Sequence, residues 1–184
     1  HVDIDSLQEF VEARDVFFLA AVLDAFDERN GFAHVARIEA AELRVTGLTT
    51  NSLAAMREYL VGEQYYRKAT WDSAAAAFQR AIAQDSTFAL AWAQLSRSRA
   101  SLYGNSSPEP SLLQAAEQAA QRARALDPRL AAGHQALGVV FFNRNDLIGA
   151  RAEYQTALRL EPTNAPVLRS MATLDGAVGA FDSA

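Results

Sequence analysis

The stretch LGVVFFNRNDLIGARAEYQTALRLEP, residues 137–162, decides the fold. Its key positions are Leu137 and Gly138, then Phe141, Ala150, Tyr154, Ala157 and Pro162. Apolar residues recur here at helical spacing in two blocks, parted by the polar pair Asn145-Asp146. An earlier copy reads Val61, Gly62, Tyr65, Ala74, Phe78 and Ala81, with Ser86 in the place of the proline. Another carries Trp92, Leu95, Ala116, Ala120, Ala123 and Pro128. Three copies in one register make the chain a repeat array. Each copy is a pair of antiparallel helices that covers its apolar faces only by stacking on its neighbours. The expected class is all-α.

The order of a bulky residue, Leu-Gly, an aromatic, Ala, an aromatic, Ala and Pro resembles the tetratricopeptide repeat over roughly residues 55–184. That resemblance implies a superhelical α-solenoid whose first helices line a concave face. It also implies a binding surface rather than an active site.

The expected organisation is a helical hairpin over residues 1–50 and a repeat array over 51–184. In the hairpin, Ser6 and Glu9 fit a capping box. One helix is predicted over 7–29 and a second over 32–45, stopped by Gly47. The hairpin is either a degenerate repeat or a cap on the apolar end of the stack. The first full repeat is predicted at 52–67 and 71–84. Ala81 and Ala123 lie 42 positions apart, against 34 for Ala123 and Ala157, so the second repeat holds eight extra residues. The Gly, Ser and Pro of residues 102–110 predict an exposed loop there. The third repeat runs over 131–164, and a fourth opens at Ala165-Pro166. Phe181-Asp182-Ser183-Ala184 reads like Trp71-Asp72-Ser73-Ala74, the start of a further second helix. Both ends read as cut, as in a fragment of a longer protein. Within the stack, Gly62, Gly138, Ala74 and Ala150 should allow close helix contact. Tyr65, Phe78, Phe141 and Tyr154 should fill the space between layers.

Net charge is −5 and pI about 5.2, with both signs mixed along the chain, which argues against a nucleic-acid footprint. There is no cysteine, which excludes disulfides and thiolate metal sites. The most apolar run, residues 16–23, is far shorter than the ~20 residues that span a bilayer. The compartment is unknown from composition: the reading is a soluble fragment with no membrane insertion, of cytoplasm or periplasm, bacterial if the signalling-protein resemblance of residues 48–96 holds.

No catalytic, metal or cofactor apparatus is visible, so the chain reads as a non-enzyme. His1, His34 and His134 are far apart, and His134 takes a bulky core position of its repeat. Asp3, Asp5, Asp24, Asp27 and Glu28 read as a solvated face. No nucleophile elbow or phosphate-binding loop occurs. Asn105-Ser106-Ser107 matches a glycosylation pattern short enough to arise by chance.

The resemblance places Met56, Tyr59, Glu63 and Tyr66 on the concave side, followed by Leu90, Ala93 and Arg97. Ala132, Gln135, Val139 and Phe142 come next, and then Arg169 and Thr173. Such a face suits a peptide or protein partner with apolar anchors. Some tetratricopeptide domains clamp a chaperone's terminal carboxylate with Lys, Arg and Asn. Here those places hold Tyr59, Glu63, Gln94, Ala132 and Ala136, none of them basic. Tyr59 and Tyr66 either bind the partner or pack onto the inserted loop or the first predicted helix. Residues 48–96 are also similar to repeat regions of large bacterial signalling proteins. These carry serine/threonine kinase, cyclase or DNA-binding output domains, which makes a regulatory region the alternative reading. An enzyme would need a polar cluster, for which only Glu63, Arg97 and Arg169 offer themselves.

Overall fold

The computed structural model describes residue 50 and residues 52–182, with side chains as far as Ala177. The N-terminal hairpin expected over 1–50, with Ser6, Glu9 and His34, lies outside the described residues. Among the described residues there are seven helices and no strand. They are α1 (Leu53–Arg67), α2 (Trp71–Gln84), α3 (Ala89–Asn105), α4 (Pro110–Leu126), α5 (Ala131–Asn143), α6 (Leu147–Leu160) and α7 (Ala165–Asp182). Pairs α1–α2, α3–α4 and α5–α6 form three helical hairpins, and α7 packs on α6. The all-α repeat reading holds.

Local chemistry fixes the helix ends. Ser52 caps α1 by accepting from the Ala55 amide at 3.2 Å, and Asp146 caps α6 by accepting from the Gly149 amide at 2.9 Å. Pro110 opens α4, where a missing N–H costs no hydrogen bond. The turns after α1 and α5 are alike. Thr70 N donates to Tyr65 O at 3.1 Å and Asp146 N to Phe141 O at 2.9 Å, closing each helix with a Schellman-type bond. The residue before each of these donors is left-handed, Ala69 at φ 56° and Asn145 at φ 62°. Asparagine tolerates that conformation, whereas alanine pays roughly 1–2 kcal/mol for its Cβ. Ala69→Gly relieves this but loosens the unfolded chain by roughly 0.4–1 kcal/mol. A net gain of about 0.5 kcal/mol, read by urea denaturation, is therefore expected.

The extra residues of the second repeat do not make a long loop. Helices α3 and α4 are 17 residues each, against 15 and 14 for α1 and α2 and 13 and 14 for α5 and α6. Only residues 106–109 connect them. The insertion lengthens both helices, and Tyr103 packs with Ala100, Leu113, Ala116 and Val140.

The Leu-Gly motif shows its purpose in the core. A Cβ built on Gly62 would lie 2.6 Å from the Phe78 ring, and one on Gly138 would overlap the Tyr154 ring. Phe78, Ala74 and Ala150 are fully buried, as is nearly all of Tyr154. Tyr65 does not fill a layer: it is 39% exposed, one helical turn beyond Val61, which is also exposed. Phe141 is only partly buried, against the cluster of Ala150, Tyr154 and Val167.

The second repeat inverts the motif. Ser96 stands where the others have glycine, and Ala120 where they have an aromatic, so the pair still fits. Ser96 is fully buried, and its hydroxyl has no hydrogen-bond partner. A buried, unsatisfied hydroxyl costs about 1–3 kcal/mol. Ser96→Ala should therefore raise the melting temperature, with a gain on the order of 1 kcal/mol. A loss of stability would show that the hydroxyl has a partner.

At the C-terminal end, α7 continues through Phe181 and Asp182, so these residues do not begin a separate second helix.

Candidate functional site

The first helices of successive hairpins, α1, α3, α5 and α7, supply side chains that meet across repeats. From α1 to α3, the Gln94 amide donates to Glu63 Oε1 at 2.5 Å, and the Tyr66 hydroxyl pairs with Ser101 Oγ at 3.4 Å. From α5 to α7, Gln135 Nε2 donates to Ser170 Oγ at 3.3 Å. Such polar rungs form where a register of first helices places side chains about one repeat apart.

The densest part of this face is centred on Gln94. Its amide nitrogen faces the Glu63 carboxylate, while its oxygen accepts from Arg97 Nη1 at 2.7 Å. Only this orientation of the amide satisfies both neighbours. The Arg97 guanidinium lies over the Tyr66 ring, 4.9 Å from its centroid, and Tyr66 meets Trp71 edge-on at 5.0 Å. Such stacking is favourable where the cation is partly desolvated. Arg97 Nε is shielded from solvent and has no acceptor.

Burial sets the ionisation of the neighbours. It pushes the Glu63 carboxyl above its ordinary range, against the opposing pull of the Arg97 charge and of hydrogen bonds from Tyr59 and Gln94. Burial, then the nearby Glu63 charge, raises the Tyr59 phenol well above its usual value. Tyr154 is pushed up to about 12 by burial, with its hydrogen bond to Ser170 and the charge of Arg97 acting the other way.

The residues expected on the concave side divide by exposure. Met56, Tyr59 and Gln135 are buried. Tyr59 packs 5.5 Å from Phe78 and 5.1 Å from Phe88, ring centroid to centroid. Its ring is held by the core, which explains a tyrosine that contributes little free surface. Glu63, Tyr66, Leu90, Arg97, Val139 and Phe142 are partly buried, and Arg169 and Thr173 are exposed. Glu63, Tyr66 and Arg97 come together, whereas Arg169 belongs to α7 and makes no hydrogen bond with them. Ser101, Ser170 and the Tyr154 hydroxyl were not foreseen. The usable signal was Tyr154 standing where the first repeat has Phe78: a hydroxyl at a core aromatic position needs a partner.

His134 is packed between helices. Its Nδ1 lies 2.7 Å from Glu153 Oε2 and its Nε2 lies 3.1 Å from the Pro128 carbonyl. Among the described residues no group of three or more His, Cys, Asp or Glu could hold a metal ion. Among them, too, no helix is long and apolar enough to cross a membrane. Asn105 ends α3, with its amide donating to Ser101 O at 2.8 Å.

No family model matches the sequence, and no curated protein matches it. Solved structures do resemble it. The TPR domain of Arabidopsis OM64 is 20% identical, with TM-score 0.54 over 67% of this chain and 96% of that one. The first TPR domain of Spaghetti (RPAP3), bound to the HSP90 peptide SRMEEVD, is 19% identical, with TM-score 0.56 over 70% of this chain and 98% of that one. The TPR domain of Sgt2 from Aspergillus fumigatus is 13% identical, with TM-score 0.57 over 72% and 84%. At these identities the likeness is one of architecture. The chain has the tetratricopeptide-repeat fold.

Proposed function

We propose that this chain is a non-catalytic scaffold that binds a peptide segment of a partner protein on the face formed by α1, α3, α5 and α7. The observation that carries the reading is the mixture on that face. Partly exposed Leu90, Val139 and Phe142 are carried by the first helices, as are Tyr66 and the partly buried Arg97. Apolar anchor sites with a few fixed polar groups suit an extended or helical peptide. The Spaghetti domain, of the same fold, is bound to an HSP90 peptide, which supports a peptide as the class of ligand.

The chemistry differs from a terminal-carboxylate clamp. Tyr59, Gln94 and Ala136 are buried, and Glu63 adds a carboxyl where a cation would be needed. A chaperone tail therefore does not fit. Residues 48–96 support a second reading, in which the same face is the regulatory half of a larger signalling protein with a kinase, cyclase or DNA-binding output domain. We read residues 1–50 as a separate element of the chain.

The test uses peptides selected from a random dodecamer display library on the full 184-residue chain. Phe142→Ala should weaken binding of the selected peptides by about tenfold or more, the loss of one anchor contact. Gln155→Ala, an exposed position on α6, should leave it unchanged. Equal loss from both, or from neither, would reject the concave face as the site.

A further inference from the structure

We propose that Arg97 receives an internal Asp or Glu side chain of the bound segment. The proposal rests on the peptide-binding reading above and names the chemistry of the partner.

Among the described residues, Arg80, Arg124, Arg144 and Arg151 each meet a carboxylate: Glu58, Glu153, Glu117 and Asp175 respectively. Arg97, like Arg99 and Arg169, is in no such pair; it differs in that its Nε is shielded from solvent without an acceptor while its plane lies on the Tyr66 ring. A guanidinium carries five N–H donors and no acceptor, and only Nη1 is engaged here, by Gln94 Oε1. The Glu63 carboxyl is held by the other end of the same Gln94 amide. Gln94 thus bridges the two groups, and the Arg97 charge still acts on the Glu63 carboxyl.

The remaining groups around Arg97 fix its plane rather than neutralise it. Tyr66 lies beneath it, and Tyr66 is itself fixed by Trp71 and Ser101. A flat guanidinium stacked on a ring, with free donors at its edge, suits the planar geometry of a carboxylate. The acidic group on the other end of the same amide, Glu63, already has its Oε1 engaged by Gln94 Nε2.

One guanidinium held flat on a ring fits a single side-chain carboxylate. A terminal carboxylate gripped by several cations is a different arrangement, and the residues for it are absent from Tyr59, Glu63, Gln94, Ala132 and Ala136.

The test takes a dodecamer selected on the full chain, synthesised with an amidated C terminus, and measures its binding by fluorescence anisotropy. The selected sequences should share an internal acidic residue. Changing it to Gln or Asn should weaken binding about tenfold, as for loss of a charge-assisted pair. Arg97→Gln should cause the same loss for the acidic peptide and add nothing for the neutral one. Arg97→Lys, which keeps the charge without the planar fork, should recover only part of the affinity. Circular dichroism melting of each variant shows whether it is folded. If an acid-free peptide binds the Phe142-dependent site equally well, or if Arg97→Gln weakens acidic and neutral peptides alike, this assignment is overturned while peptide binding stands. If no selected peptide depends on Phe142, the peptide-binding reading falls and this proposal with it.

Discussion

Tyr59→Ala is expected to lower the free energy of unfolding by ~3–5 kcal/mol, the range for deleting a large buried aromatic side chain. The ring is 5% exposed and lies against Phe78 of α2 and Phe88 at the entrance to α3, so it joins the first hairpin to the second. Removing it leaves a cavity at that junction and takes a partner from Glu63 and Gln94. Tyr59→Phe separates these effects. It keeps the packing and loses the hydroxyl, at a cost of about 1–2 kcal/mol. Tyr65→Ala is the control. That side chain is 39% exposed, and its loss should stay within about 0.5 kcal/mol. Denaturant titrations in which Tyr59→Ala and Tyr65→Ala are equally mild would mean that the first two hairpins are not packed as described.

Gly138→Val is expected to cost ~1–3 kcal/mol through overpacking. In an open helix the same kind of change would help, because glycine is worth ~1 kcal/mol less than alanine in a helix interior. Here a Cβ would overlap the Tyr154 ring, and that ring is 2% exposed and has nowhere to move. The clash outweighs the propensity gain. In a Tyr154→Leu background the penalty should shrink by about 1 kcal/mol, the coupling of two residues in contact. Gly176 supplies the contrast. It lies in α7 with no atom within 4 Å of its would-be Cβ, so Gly176→Ala should be neutral or stabilise by up to ~1 kcal/mol. If thermal and chemical denaturation rank Gly138→Val with Gly176→Ala, the close approach of α5 and α6 is wrong.

Much of this architecture is legible in the sequence because the repeat carries its own punctuation. The second helix of the first repeat runs over 71–84 in both the sequence pattern and the structure. The polar pair Asn145-Asp146 marks the turn, since Asn145 adopts the left-handed conformation and Asp146 caps the next helix. Composition misleads over residues 102–110. Gly104 and Asn105 sit in the last turn of α3, where the Asn105 side-chain amide donates to the Ser101 carbonyl, and Pro110 sits in the first turn of α4. Residues that break helices internally are tolerated at their ends, so a Gly- and Pro-rich stretch became helix. Tyr65 shows the opposite error, in which a consensus aromatic has no layer to fill.

The candidate face is less legible for a different reason. Its rungs join residues 31 to 35 positions apart, Glu63 with Gln94, Tyr66 with Ser101 and Gln135 with Ser170. Periodicity says that these residues share a side. It does not say which polar groups meet, nor that Tyr59 is drawn into the core while Tyr66 keeps part of its surface.

The central claim is that a peptide lies along the first helices, and backbone amide exchange on the full chain tests it most directly. With a library-selected dodecamer bound, α1, α3 and α5 should gain protection while α2, α4 and α6 change little. Protection concentrated on the second helices would contradict the account, whatever affinity the peptide shows.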